Sequence, residues 1–408
     1  MREATLLEAL SQVGNEEAGA IFRNFIHEAV RSSFIDVMLK EVEALCGPSY
    51  RPLADNRAYR AGTAPGVCIL DECSKRVQRP RVRRKTAGGS EEMRLESYAA
   101  AKDAGAVKES ILRALVAGVS GREQKRLYPE SPLTSKSSVS RLWVTEGAKK
   151  IEELRGRELS GECFFGLMLD GIWLSADLAA IVAIGMTCDG RKIVLDFELG
   201  SSENREVCDD LLDRLVRRGF KPVARLLSVL DGSAALKGSV LAHYPDAVTQ
   251  RCLIHKERNL RGCLARRHYD ELFEHFKRLR NAQGAEAGRE IYKELRGFLA
   301  SKNLKALASL DEAGEDIIAL HLIDAPATLN ISLLSTNFIE NSFRNVRAKI
   351  GRVKRWRAET AQAERWLSYG LLEAERGFRR MKGWKDIPML VEKLKKPKPL
   401  QASQEKAA

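Results

Sequence analysis

Three carboxylates in this chain sit where chemistry can reach them. Asp231 ends the apolar run Leu226–Leu230, and Gly232-Ser233 and Ala234-Ala235-Leu236 follow it. That is the pattern of a buried strand handing over to a helix. The handover puts a carboxylate at a sheet edge, within reach of a metal or a phosphate, although the same residue can simply cap the helix. Asp170 lies inside another apolar run, Phe164 to Leu174, which places it in a strand rather than in a turn. Glu340 falls in Ser335-Thr336-Asn337-Phe338-Ile339-Glu340-Asn341, on a helical pattern continued by Phe343 and Val346. On such a helix a glutamate is ordinarily a solvated side chain. If the two strands are neighbours and the helix packs across them, the three carboxylates converge. Ionised together they repel, and divalent cations resolve the conflict. Mg²⁺ (or Mn²⁺) suits oxygen ligands. Two such ions about 3.5–4 Å apart activate an attacking oxygen and stabilise a leaving one. This is phosphodiester chemistry, and it needs no Ser, Cys or Tyr nucleophile.

The surrounding pattern is that of a mixed α/β sheet. Leu178–Cys188 and Lys192–Leu199 are β-like runs separated by Asp189-Gly190, a strong hairpin signal. Glu203–Arg218 is helical, with Val207, Leu211, Leu212 and Leu215 on one face, and Ala224–Leu230 is the next strand. Residues 256–330 read as successive helices. Helices resume after Pro326, through Phe343 and then through Trp366 and Leu371. Six regions follow: an N-terminal helical region (1–74); a basic arm with a helix-turn-helix-like region (75–155); the first part of an α/β core (156–255); a helical insertion (256–330); closing helices (331–385); and a disordered tail rich in Lys, Pro, Gln and Ser (386–408).

Composition adds a partner. The chain has 408 residues with 68 Lys+Arg against 55 Asp+Glu, a net charge of +13, which favours a polyanion such as nucleic acid. Lys75, Arg76, Arg79, Arg81, Arg83, Arg84 and Lys85 are seven basic residues without an acid between them. Pro80 argues against a helix there. An extended arm on phosphates or in a minor groove is one reading, and a solvated linker the other. Downstream, Lys108–Ala117, Gly121–Leu127 and a helix capped by Ser135 form a helix-turn-helix candidate, with Lys136 and Arg141 facing a groove. The long link between the last two helices leaves a structural three-helix unit as the alternative. Arg344 and Arg347 share a helical face with Glu340 by i+4 and i+7 spacing, which would set them beside phosphate.

The cysteines are scattered, and reduced thiols are expected. Cys252 and His255 stand three apart. With Cys263 and His268 they could be zinc ligands, though the later pair is loosely spaced. A buried thiol and a core histidine are the other reading. No apolar run reaches the roughly 18 residues of a membrane span, and Met1-Arg2-Glu3-Ala4 lacks a signal-peptide core. A cytoplasmic protein is expected, with no membrane partner.

Taken together, Leu169-Asp170-Gly171, Leu230-Asp231-Gly232-Ser233, Arg251-Cys252-Leu253-Ile254-His255 and Ser335-Thr336-Asn337 through Glu340 with Arg344 and Arg347 resemble the Mutator-type family of bacterial insertion-sequence transposases. The resemblance runs from about Tyr59 to Phe378. It implies an RNase H-like fold interrupted by a mostly helical insertion, and a DDE triad of Asp170, Asp231 and Glu340 holding two metal ions. The 109 positions between Asp231 and Glu340 (340 − 231), largely helical in pattern, agree with such an insertion. The resemblance matches Cys252 and His255 to a family Cys/Asp-x-x-His motif near the catalytic centre. It further implies double-stranded DNA partners (terminal inverted repeats and target), a circular intermediate, synapsis by a homo-oligomer, and a bacterial protein that joins the nucleoid when bound to DNA. Two rivals stay open: a metal-dependent nuclease on the same fold without strand transfer, and a non-catalytic repressor derived from a transposase.

Overall fold

The computed structural model describes residues 15–50, 58–70, 73–102, 105–128, 131, 133–201, 204–350, 353, 355–357 and 360–396. The expected helical residues Leu6, Leu7 and Leu10, and the tail from residue 397, lie outside them. The chain divides into two compact units, residues 1–143 and 144–408.

The first unit opens with a long helix, α1 (Asn15–Cys46). Three antiparallel strands follow in the order β1 (Ala58–Leu70), β2 (Cys73–Thr86) and β3 (Gly89–Met93). Here the structure departs from expectation. The helical region does not extend to residue 74, and residues 75–85 are not a free arm but part of the middle strand of a sheet. The physical reason lies in the few apolar residues among the charges. Val82 is buried with Val42, Cys46, Ala58 and Leu95, and Val77 is buried with Cys68 and Ala101. Pro80 is tolerated in β2 beside a register shift at which β1 carries one extra residue, between Arg60 and Thr63. Glu41 of α1 accepts hydrogen bonds from the backbone N–H of Glu96 (2.8 Å) and Ser97 (2.9 Å), satisfying the N-terminus of helix α2 (Glu96–Ala101). Helices α3 (Gly105–Val116) and α4 (Gln124–Leu127) come next, and α5 (Lys136–Arg155) begins in this unit and ends in the second. Ser135 Oγ accepts from the N–H of Ser138 at 3.1 Å, as the sequence suggested for a cap.

The second unit is built on a five-stranded mixed sheet. Its strands are β4 (Phe164–Ser175), β5 (Leu178–Thr187), β6 (Lys192–Gly200), β7 (Pro222–Leu230) and β8 (Val248–Arg251), in the spatial order β6-β5-β4-β7-β8. The first three are antiparallel; β7 and β8 run parallel to β4. β4 is central and covered on both faces, which explains its unbroken apolar run. Phe165, Met168 and Ile172 enter one core cluster, and Phe164, Leu167 and Leu169 the other. The Asp189-Gly190 pair forms the β5–β6 turn, with Gly190 at φ +82°. Helix α6 (Arg205–Arg217) lies between β6 and β7, and α7 (Ala234–His243) between β7 and β8.

Helices then take over: α8 (Leu253–Arg261), α9 (Tyr269–Asn281), α10 (Gly284–Lys302), α11 (Leu304–Ala313), α12 (Ala319–Leu322) and α13 (Asn330–Leu333). Buried Gln250 at the end of the sheet bonds to Ile317 O (3.0 Å) and Leu320 N (3.0 Å), tying these helices to the strands. Helices α14 (Asn337–Ile350) and α15 (Gln362–Arg376) close the core. A further helix, α16 (Ile387–Lys395), occupies what composition marked as disordered tail. It buries Ile387, Leu390 and Leu394, an apolar stripe that runs into the Lys- and Pro-rich stretch from Lys393. Among the described residues, no helix is long and apolar enough to cross a membrane.

Candidate active site

The parallel pairing of β4 with β7 sets Leu169 opposite Leu230. Each is followed by an aspartate, so Asp170 and Asp231 are carried at the same level of the sheet on adjacent strands. Asp170 is 5% exposed, and its Oδ1 accepts from the Gly171 N–H at 2.9 Å. Burial first, and then the negative charge of Asp231 with a smaller push from Glu340, raises its pKa to about 8, while His255 opposes the rise. Asp231 Oδ1 accepts from the N–H of Ser233 at 2.9 Å. The helix cap is Ser233, whose side chain accepts from Leu236, so Asp231 is not spent on capping. Gly232 turns the chain between them at φ +116°, a conformation natural to glycine. A Cβ there would lie 2.3 Å from Nε of Arg251.

Glu340 is presented by α14, whose Ile339, Phe343, Val346 and Ile350 are buried at helical spacing. Nε2 of His255 lies 3.1 Å from Glu340 Oε1, and an Arg258 nitrogen lies 3.9 Å from Oε2. The His255 contact has the length of an ion pair but not the alignment of a hydrogen bond, and Glu340 Oε1 is buried without a hydrogen-bond partner.

Cys252 joins these pieces. Its N–H donates to Leu230 O at 2.8 Å, next to Asp231, and the following N–H, of Leu253, donates to Leu334 O at 2.9 Å. Its Sγ accepts from the N–H (3.3 Å) and hydroxyl (3.4 Å) of Thr336, and from the His255 N–H at 3.5 Å as the N-cap of α8. Thr336 Oγ1 is 3.2 Å from His255 Nδ1. Burial alone would raise the Cys252 thiol, but the hydrogen bonds from His255 and Thr336 outweigh it and lower its pKa. The hydrogen bond with Cys252, reinforced by the charges of Cys252, Asp170 and Glu340 against the cost of burial, raises His255 to about 9.

A full-chain comparison decides the family: the model of "Transposase, Mutator family" matches residues 1–379. The chain belongs to that family. It is similar to the transposase for insertion sequence element IS905 of Lactococcus lactis subsp. lactis (strain IL1403), 30% identical over 44% of this chain and 46% of the relative. It also resembles the transposase for IS1201 of Lactobacillus helveticus, 29% identical over 48% of this chain and 53% of the relative. A longer alignment, at 26% identity, covers 84% of this chain and 86% of the transposase for IS406 of Burkholderia multivorans (strain ATCC 17616 / 249). The chain thus spans about half the length of the first two curated relatives.

In this family member the expected site residues fall into two groups. Asp170, Asp231, Glu340, Cys252 and His255 come together; Arg344 and Arg347 are exposed on the same helix as Glu340, with Arg344 donating to Asn341 Oδ1 at 3.0 Å. In the first unit, Arg79 and Arg81 are paired with Glu92 at 3.1 and 2.6 Å, and Arg83 donates to Ser90 O at 2.8 Å. Arg76, Arg84 and Lys85 are exposed, and among the described residues they have no acidic partner. Lys75 is half-buried; Lys136 and Arg141 are exposed on α5. Among the described residues, no group of three or more His, Cys, Asp or Glu is already arranged to hold a metal ion, neither Asp170, Asp231 and Glu340 nor the Cys252, His255, Cys263 and His268 set. Cys46, Cys68, Cys163, Cys188, Cys208, Cys252 and Cys263 are free thiols.

Sequence reasoning names Arg251 only as part of the Arg251–His255 motif, without a role, and does not reach Glu312. Arg251 covers Gly232 and bonds Glu312 at 2.6 Å; the nearly inaccessible Lys256 reaches the other oxygen of Glu312 at 3.2 Å. Glu312 comes from the helical insertion, so only the fold could have revealed this brace. β8 was also missed, because four residues carry too little pattern to read.

Proposed function

We propose that this protein is a DNA transposase that cleaves a phosphodiester at the end of an insertion sequence and joins the freed 3′-OH to target DNA. The observation that carries the reading is the meeting of Asp170, Asp231 and Glu340, from two adjacent parallel strands and a closing helix, in a chain of this family. The sheet order, with three antiparallel strands extended by two parallel ones, supports an RNase H-like core for it.

The donor chemistry suits hard divalent cations. All three acids offer oxygen, Asp170 is pushed toward protonation by burial and then by its acidic neighbours, and Glu340 Oε1 is buried without a hydrogen bond. Asp170, Asp231 and Glu340 would hold two Mg²⁺ or Mn²⁺ ions, which when bound activate the attacking oxygen and stabilise the leaving one. The protein's own residues orient these acids. Arg251 and the Gly232 turn fix the loop of Asp231, and His255, anchored through Thr336 and Cys252, holds Glu340. Arg344, Arg347 and Arg258 are set to receive phosphates beside the carboxylates. The basic strand β2 and helix α5, through Lys136 and Arg141, bind terminal inverted repeats, and a homo-oligomer on DNA brings two ends together.

The test is a joining assay with purified protein, a duplex ending in the terminal repeat, target DNA and Mg²⁺. Cleavage and 3′-end joining are expected, both abolished by excess chelator. Cleavage without joining would make the protein a nuclease, and repeat binding without cleavage a repressor. Equal cleavage in chelator would sink the metal-dependent reading.

A further inference from the structure

The flank of α14 that carries Asn337, Asn341 and Asn345 lies about 100° around the helix from Glu340. It opens on a cavity of about 540 Å³. The residues lining this cavity include Lys192, Arg379, Arg380 and Lys382 and no acid. Lys192, at the start of β6, is half-buried with its ammonium 3.6 Å over the ring of Phe338. Among the described residues no carboxylate pairs with it, and burial lowers its pKa to about 8. A half-buried cation with no counter-charge is costly, and a bound anion would relieve it. Phe338 meets Phe378 edge to face, with centroids 4.5 Å apart.

Phosphate alone would need only the cations. The amides and rings ask for more. An Asn side chain offers a donor and an acceptor side by side, as the edge of a base requires. Aromatic rings with nearby cations are what single-stranded nucleic acid stacks on. The volume falls in the range of small-ligand sites. Met168, two residues before Asp170, also lines the cavity, so it adjoins the candidate active site. A duplex base stays in its stack and could not enter.

We propose that this cavity receives one unpaired nucleotide of the DNA strand handled by the carboxylates, with its phosphate toward Lys192 and Arg379 and its base among Phe338, Phe378 and the asparagines. The proposal rests on the DNA-transposase reading and adds a substrate feature to it: a preference for an unpaired nucleotide beside the reacting end.

Binding of the full-length protein, in chelator so that no DNA is cut, tests it. The probes are a fluorescent blunt duplex and the same duplex with a short single-stranded overhang. The wild type is expected to prefer the overhang by about tenfold, the scale of one stacked base. Lys192→Met and Asn345→Ala should each reduce that preference to about twofold or less, while blunt-duplex affinity, which also reports correct folding, stays unchanged. Lys192→Arg should keep the preference. A wild type that binds the blunt duplex with no overhang preference overturns the proposal and leaves the transposase reading standing, as does full preference in both variants. Failure to bind either duplex removes both. Saturable binding of AMP without an overhang preference would assign the cavity to free nucleotides and overturn the strand-bound form.

Discussion

His255 Nε2 stands 3.1 Å from Oε1 of Glu340, so the two helices that flank the aspartates are joined by one imidazole. Its other nitrogen is held by Thr336, which also donates to Cys252. Glu340 is therefore positioned by contacts within the protein itself. This contact turns the most remote of the three acids in sequence into a neighbour of Asp170.

The Glu340→Gln variant keeps the side-chain shape and removes its charge. It should fold and bind terminal-repeat DNA as the wild type does, yet lose cleavage and joining by orders of magnitude. Single-turnover assays beside a binding titration separate the two. Near-normal joining by folded Glu340→Gln would place the third acid elsewhere.

Gly232→Ala should be far more harmful than its size suggests. The backbone is at φ +116°, and the new methyl would meet the Arg251 guanidinium at 2.3 Å. The strain alone costs about 1–3 kcal/mol, visible as a lower urea midpoint. Cleavage should fall by more than the lost stability explains, because the loop of Asp231 moves. Wild-type midpoint and rate would show that the turn has room.

Lys192 predicts a stability that rises with pH. Its folded pKa, lowered to about 8, lies below the ordinary lysine value of 10.5. The folded state therefore disfavours the charged form. The penalty is fully present below pH 8 and fades as the pH climbs toward 10.5. Lys192→Met should raise the Tm at pH 7, with the gap closing in alkaline buffer. A gap that does not change with pH would mean the ammonium is well solvated.

On β2 the seven basic residues should not contribute alike. Arg79 and Arg81 are engaged by Glu92, while Arg76, Arg84 and Lys85 are exposed. Replacing the last three with alanine should weaken binding to all DNA sequences. It should also reduce the slope of log K against log salt by about one for each phosphate no longer neutralised. Replacing Arg79 and Arg81 should change the slope less. Identical slopes in all variants would leave this strand without a role on DNA.

The sequence alone determined the chemistry on offer. Asp170 and Asp231 could be read as strand carboxylates because β4 and β7 are buried on both faces and must be apolar up to the acid. Asp189-Gly190 was legible as a turn because its chemistry is local. The closing helix showed through the spacing of Ile339, Phe343 and Val346. Tertiary structure decided what local pattern cannot encode. The charged run at 75–85 became the middle of a sheet because Val77 and Val82 find buried partners far along the chain. Residues 387–395 became a helix because Ile387, Leu390 and Leu394 have a core to enter. Glu312 reached Arg251 and Lys256, and His255 reached Glu340, across 61, 56 and 85 positions of sequence (312 − 251, 312 − 256 and 340 − 255). A polar contact between distant residues leaves no periodicity behind, so it becomes visible only once the hydrophobic core has brought the elements together.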